Sequence, residues 1–489
     1  MQTYSKPKNL VIILVLLVLF FYPLCSLGKD TESQKTSAAF TRRLDSSVVL
    51  DDLKYLYKQL RKVHPDLFFS RNRTIADREY KQLRELIKEE SSLTVREIYL
   101  KLAPFVARFK DPHTSLTFYN EFNDYCKRGG KIIPIYAYFR EGSILITETV
   151  NESCIPPGSL LLSINGIPSQ AVISDALNLI SYKRQSYGLG WASKLFPIWT
   201  LALYGPANTY QIAYETPDGT RMTANLMGVS LDEYNEGRRE LYPRYANGWN
   251  LKYVDENIAL LTINTFSGSK RKEFGDFLQS TFREIKLNST ETLIIDLRDN
   301  GGGSTNLSDM LYSYLSEKPF RTFAEVRVRY SDPVLRNSPS LNPFSRIWQF
   351  LRTRASGNET VVYENDLVKP PDREFRFSGD LYVLIGRRTF STAADFASLI
   401  KDFSVGTLVG EETGGLASCF GDAYLTELPR SGLSLRISYK YFLRPGGFDD
   451  GRGVLPDVTV KDSPVSQALG EDQTLQTAIK LAKSVIATV

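Results

Sequence analysis

Residues Ile294–Thr305 read IIDLRDNGGGST, an apolar run that meets an acid and a base and then three successive glycines. The apolar run has the length and composition of a buried strand, and the residues after Thr305 resume a helical pattern. A glycine-rich turn between a strand and a helix aims backbone N–H groups at one point, which suits a phosphate or a developing oxyanion. The phosphate signatures are absent: there is no G-x-x-x-x-G-K-[ST], and GGGST lacks the G-x-G-x-x-G register with an acid about 20 residues on. Two readings stay open, a tight turn pinned by an Asp296–Arg298 ion pair or a pocket for an oxyanion.

A second stretch repeats the logic. LYVLIGRRTFSTAADFASLI, from Leu381 to Ile400, is a buried strand, a change of direction and a helix that opens at Ser391. Thr392 and Asp395 have the spacing of a capping box, the structural alternative for this turn. Two such strand ends in one sheet can offer a nucleophile and an oxyanion pocket. A serine nucleophile needs a base, either a histidine or a lysine of lowered pKa. His113, in FKDPHTSL, is a candidate beside the turn residues Asp111 and Pro112; His64, ahead of Pro65, reads as a helix-end residue.

From Asn250 onward apolar strands alternate with helical stretches, which implies an α/β layer. Residues 45–118 show helical periodicity, with Leu50, Leu53, Leu56, Leu60 and Val63 at steps of three and four. Residues 119–230 shorten to strand-like alternation broken by turn signals. Asn337–Glu374 reads as a long surface excursion without clear period. The expected organisation is a linker at 29–44, a helical domain at 45–118, a β module at 119–230 and an α/β domain at 245–489, with no internal repeat.

Composition narrows the chemistry. The 60 basic and 55 acidic side chains leave a net charge of +5 with no long run of one sign, which gives no nucleic-acid footprint. With only two histidines, His64 and His113, and no clustered Cys/His spacing, neither a metal nor another cofactor is expected. Beyond Cys25 only Cys126, Cys154 and Cys419 remain, allowing at most one bridge, Cys126–Cys154. Lys6 and Lys8 precede the apolar run Leu10–Phe21, then Pro23, Ser26 and Gly28. That order is a signal peptide over 1–28 cleaved after Gly28, with an uncleaved membrane anchor as the second reading and lipidation at Cys25 as the third. The expected location is periplasmic or extracellular, with membrane association only through an uncleaved N-terminal segment.

The motifs together resemble the C-terminal processing, or tail-specific, serine peptidases and their tricorn-like relatives. The family's D-L-R-x-N-x-G-G is matched by Asp296, Leu297, Arg298, Asn300, Gly302 and Gly303, and its serine at a strand-to-helix turn by Ser391. DPHTSL resembles the family's D-G-H-T element, GSLLLSINGIPS looks like a degenerate PDZ segment, and GVLPDVTV is similar to the closing G-V-x-P-D. The resemblance implies an α+β multidomain fold: an N-terminal helical domain, a PDZ-like β module and a ClpP/crotonase-like α/β core. In the Ser-Lys branch a lysine would stand near position 416, but Leu416 is there and no lysine occurs from Val405 to Ser438. The tricorn-like branch implies Ser391 as nucleophile, His113 as base and Asp450 as acid, with Asp449 adjacent. Its oxyanion hole would use Gly302 or Gly303 with Thr392. The implied activity is hydrolysis of polypeptide substrates through an acyl-enzyme; the alternative is a catalytically silent ligand- or peptide-binding protein on the same fold. EETGG, Glu411–Gly415, resembles a family element that lines the site, or is a hairpin turn.

Overall fold

The computed structural model describes residues 37–150, 155–241, 248–337, 343–356, 359–461, 466 and 471–486. The leader with Cys25, the first half of the linker (29–36) and Cys154 lie outside them. Cys126 carries a free, half-buried thiol.

The chain opens with helices α1 (Ser46–Val63), α2 (Arg73–Lys88) and α3 (Val95–Ala107). Of the periodic positions in α1, Leu53, Leu56, Leu60 and Val63 are buried, whereas Leu50 is half-buried and its neighbour Val49 is fully buried instead. α1 stops at His64 because the residue before a proline is driven out of helical backbone. α3 begins with a capping box, in which the Thr94 hydroxyl accepts from the Glu97 N–H and the Glu97 carboxylate accepts from the Thr94 N–H. A short strand β1 (Ser115–Thr117) follows His113.

Strands β2 (Ile135–Arg140), β3 (Ser143–Thr149), β4 (Ser159–Ile164), β5 (Thr209–Glu215) and β6 (Arg221–Met227) form an antiparallel sheet in that spatial order. Helix α4 (Gln185–Lys194) packs on β2. One continuous apolar core runs through the three N-terminal helices and this sheet, so the two expected units share their interior.

Beyond Trp249 the chain forms β7 (Trp249–Asp255), β8 (Ile258–Ile263), α5 (Arg271–Leu287), β9 (Thr292–Asp296), α6 (Thr305–Tyr312) and β10 (Glu325–Arg329). It continues through α7 (Pro343–Ser356), β11 (Thr360–Glu364), β12 (Asp380–Ile385), α8 (Thr392–Asp402) and β13 (Thr407–Gly410). The last elements are β14 (Cys419–Glu427), β15 (Ser434–Leu443), β16 (Val458–Thr459) and α9 (Gln473–Ile486). Helix α7 corrects the reading of Asn337–Glu374 as aperiodic: its apolar residues do recur at helical spacing, but on the face away from the protein.

The main sheet runs β7-β8-β9-β12-β13-β16, parallel except for the β7/β8 pair. Every residue of β8 and β9 is buried, as both faces are covered. Helices α5, α6 and α8 cover one face and α9 the other. The parallel register sets Asp296 beside Leu384, so the chain leaves β9 and β12 at the same end of the sheet. A second sheet, β11-β10-β15-β14, accepts β1 on β15 with Leu116 opposite Leu435. That pairing brings the segment holding His113 to the C-terminal half. The molecule is α+β, as expected.

Candidate active site

The loop after β9 is pinned from behind. Arg298 donates to both carboxylate oxygens of Asp296, at 3.0 and 2.6 Å, and to Asp472 at 2.6 and 2.7 Å. Burial opposes the charge on the guanidinium, but the two carboxylates outweigh it and hold its pKa well above the ordinary value. Asn300 donates through Nδ2 to the Ile263 carbonyl, and its Oδ1 accepts the Gly302 N–H at 2.8 Å. The ion pair and the glycine turn therefore coexist as one rigid support.

Two glycines in that loop meet backbone where no side chain fits. Gly302 has φ +95°, and a Cβ there would lie 2.7 Å from the Ser391 Cβ and 2.9 Å from the Thr392 nitrogen. At Gly303, φ +147°, a Cβ would stand 2.1 Å from the Phe266 carbonyl oxygen. Phe266 donates to the Gly302 carbonyl and accepts from the Ser304 N–H, so Gly303's own polar groups face the other way. Its carbonyl accepts the Thr392 hydroxyl at 2.9 Å. Among the described residues the N–H groups of Gly303 and Thr392 have no backbone acceptor, whereas that of Gly302 is taken by Asn300. Of the two glycines named from sequence, Gly303 is thus the one with a free donor beside Thr392.

Ser391 is the N-cap residue of α8, at φ 54° and ψ −131°. A non-glycine residue in this sparsely allowed backbone is strained, and a strand-to-helix turn of this kind lifts the side chain off the helix end. Its side chain makes no capping bond, and the Thr392 hydroxyl is spent on Gly303. The Thr392–Asp395 capping box does not form, because the helix starts one residue earlier than that box requires, with Ser391 rather than Thr392 at the N-cap. Asp395 is instead buried, with Oδ1 unpartnered and its pKa raised well above the ordinary value by burial.

His113 and Ser391 line one cavity, with Phe69, Phe390, Leu416 and Phe420 among its apolar walls. The two side chains share no hydrogen bond. The imidazole stacks on Phe390, the residue before the serine, with centroids 4.5 Å apart and planes 25° apart. Its position is set by the main chain: Asp111 Oδ1 accepts the His113 N–H at 3.0 Å. Asp111 Oδ2 accepts from the hydroxyls of Thr114 and Ser438 at 2.5 and 2.6 Å, and His64 Nε2 is 3.2 Å away. His64 Nδ1 accepts the Asp66 N–H, which leaves the ring proton on Nε2 to face Asp111. Burial would raise the Asp111 pKa, but the His64 hydrogen bond and charge, with help from His113 and Ser438, hold it well below the carboxylate range. For His113, burial is the largest influence and lowers its pKa; Asp111 opposes, Arg436 reinforces, and Asp422 and the Phe420 carbonyl oppose. Nδ1 of His113 is buried and has no hydrogen-bond partner among the described residues.

Asp450 is not brought to the imidazole. It is exposed, 3.7 Å from Arg444, and accepts the Arg452 N–H at 3.0 Å. Asp449 accepts from the Tyr441 hydroxyl at 2.7 Å. Their loop is linked to a cavity wall through Lys183, which Gly451 approaches and which sits 6.0 Å from the ring of the wall residue Phe69. Gly415 of EETGG lines the cavity itself. Two lysines stand nearby that sequence patterning overlooked. Lys110 lines the cavity. Lys194 Nζ is 3.9 Å from where a Gly301 Cβ would be, and burial, with Arg238 and Arg388, lowers its pKa to about 8 against the pull of Asp299. Among the described residues no group of three or more His, Cys, Asp or Glu side chains could hold a metal ion.

Residues 257–460, which span both strand-to-helix turns, match the model of peptidase family S41. The tail-specific protease of Haemophilus influenzae is 24% identical over 229 residues, 45% of this chain and 27% of the relative, so the chain spans about a quarter of that protein's length. Among solved structures, mature CPAF complexed with lactacystin superposes with a TM-score of 0.66 at 17% identity, covering 91% of this chain and 99% of that one. Mature CPAF gives a TM-score of 0.62 at 17% identity, covering 86% and 94%. These superpositions establish that the fold extends beyond the matched segment to the helices and the β2–β6 sheet. The sequence match and the shared fold agree with the motifs first read at Asp296–Gly303 and Ser391, and it is residues 257–460 that match peptidase family S41.

Proposed function

We propose that the chain is an exported serine peptidase that hydrolyses polypeptides through an acyl-enzyme on Ser391. The observation that carries the reading is the shared cavity: a strained, uncapped serine at a helix N-terminus faces the same space as an imidazole, with two unengaged N–H groups beside it. His113 takes the Ser391 proton as the hydroxyl oxygen attacks a peptide carbonyl. The carbonyl oxygen becomes an oxyanion received by the Gly303 and Thr392 N–H groups. The imidazolium then protonates the leaving amine, and water, deprotonated by the same ring, hydrolyses the ester. Each oxyanion donor is worth about 3 kcal/mol of transition-state stabilisation.

Asp450 enters this proposal as the acid that docks on His113 when substrate is bound. The buried, unpartnered Nδ1 is the atom that needs an acceptor once the ring is charged, and the Asp450 loop is linked to the cavity wall residue Phe69 through Lys183. The β2–β6 sheet is proposed as a PDZ-like substrate holder. Its β2 edge is engaged, since Phe139 donates to Ser193 and accepts from Arg387, which leaves β6 as the edge for strand addition. Export rests on the Lys6–Gly28 leader pattern and on the likeness to a tail-specific protease. A fluorophosphonate probe tests the chemistry: it should label the wild type and fail to label Ser391→Ala, and equal labelling of both would refute the assignment.

A further inference from the structure

Helix α7 is built inside out for a water-facing helix. At 100° per residue, Phe344, Ile347, Trp348 and Leu351 fall on one stripe. They are 79%, 60%, 52% and 60% exposed. The buried positions are polar: Gln349 donates to the Tyr363 hydroxyl of β11 at 3.2 Å, and Thr353 turns its hydroxyl back to the Phe350 carbonyl. Four large apolar side chains thus project away from the body of the protein, where water contact is unfavourable. The only ionisable residues of the helix are Arg346, Arg352 and Arg354, and it contains no acid. The Arg352 guanidinium lies 5.5 Å from the Trp348 ring and that of Arg354 4.6 Å from the Phe350 ring, so cations flank the apolar stripe.

We propose that α7 lies in the surface of an anionic lipid bilayer, a membrane contact separate from the N-terminal leader. An apolar stripe that includes Trp and Phe, bordered by arginines and free of acids, is the composition that seats a helix at the headgroup boundary. The arginines there meet anionic headgroups while the stripe enters the acyl region. A second copy of the chain is the poorer occupant, because a two-fold contact through this helix would set the same arginines against each other.

The test uses the full chain and vesicles carrying brominated lipid, made of phosphatidylcholine with or without phosphatidylglycerol. Brominated lipid should quench Trp348 fluorescence on the phosphatidylglycerol vesicles, and Trp348→Phe should remove that quenching. Ile347→Gln combined with Leu351→Gln should weaken partitioning about tenfold, with far-UV circular dichroism and fluorophosphonate labelling unchanged. Because all variants keep the leader, the difference between them reports α7. Quenching that Trp348→Phe does not change, or equal quenching on pure phosphatidylcholine, would overturn the proposal. Conversion of a dimer to a monomer by the double substitution would overturn it in favour of a second copy.

Discussion

Gly302→Ala puts a methyl group between the two halves of the proposed site. The added carbon would stand 2.7 Å from the Ser391 Cβ, 2.8 Å from the Phe390 carbonyl oxygen and 2.9 Å from the Thr392 nitrogen. All three neighbours belong to the turn that holds the nucleophile, and two of them are backbone, so the turn must move rather than a flexible side-chain end. The left-handed backbone at Gly302 adds about 1–2 kcal/mol for an L-residue, a cost that leaves a well-packed domain folded. The catalytic cost is larger. Shifting Thr392 away from Gly303 forfeits one oxyanion donor, about 3 kcal/mol, which corresponds to a loss in kcat on the order of 100-fold. The assay is hydrolysis of fluorogenic casein beside thermal unfolding, so that folding and turnover are read separately. A folded Gly302→Ala protein with kcat within threefold of the wild type would refute the placement of the oxyanion pocket.

Activity should rise with pH through a transition below the ordinary imidazole value of about 6.5, because burial favours the neutral form of His113 and only that form accepts the serine proton. A limb near pH 8 would instead point to Lys194 as the base. Lys110→Met and Lys194→Met should each keep fluorophosphonate labelling within about threefold of wild type; abolition by either would reinstate a Ser-Lys mechanism. Asp450→Asn should lower kcat at least about tenfold without preventing labelling, by removing the partner of the imidazolium; wild-type turnover would leave His113 oriented by Asp111 and Phe420 unaided.

Much of the scaffold was legible because its signals are local. The apolar runs of β9 and β12 are buried along nearly their whole lengths, and the glycines and Ser391 fall where those strands turn into helices. What sequence could not supply are the contacts that cross the chain. Asp111 is a buried acceptor because β1 pairs with β15, more than 300 positions away, and the Ser438 hydroxyl closes the network. Phe390 was visible only as an apolar neighbour of Ser391, yet it carries the imidazole on its face. The position of Asp450 depends on Arg444 and Arg452, two arginines that nothing in the motif singles out. Helix α7 escaped detection because its stripe points away from the core and its polar positions point in, the reverse of the pattern that marks a helix on a soluble domain.

The pairing of Ser391 with His113 is most directly tested by the rate at which a fluorophosphonate labels His113→Ala beside the wild type, both shown to be folded by circular dichroism. The account requires labelling of the variant to fall to the level of Ser391→Ala, because no other group in the cavity takes the serine proton. A His113→Ala protein that labels as fast as the wild type would contradict it.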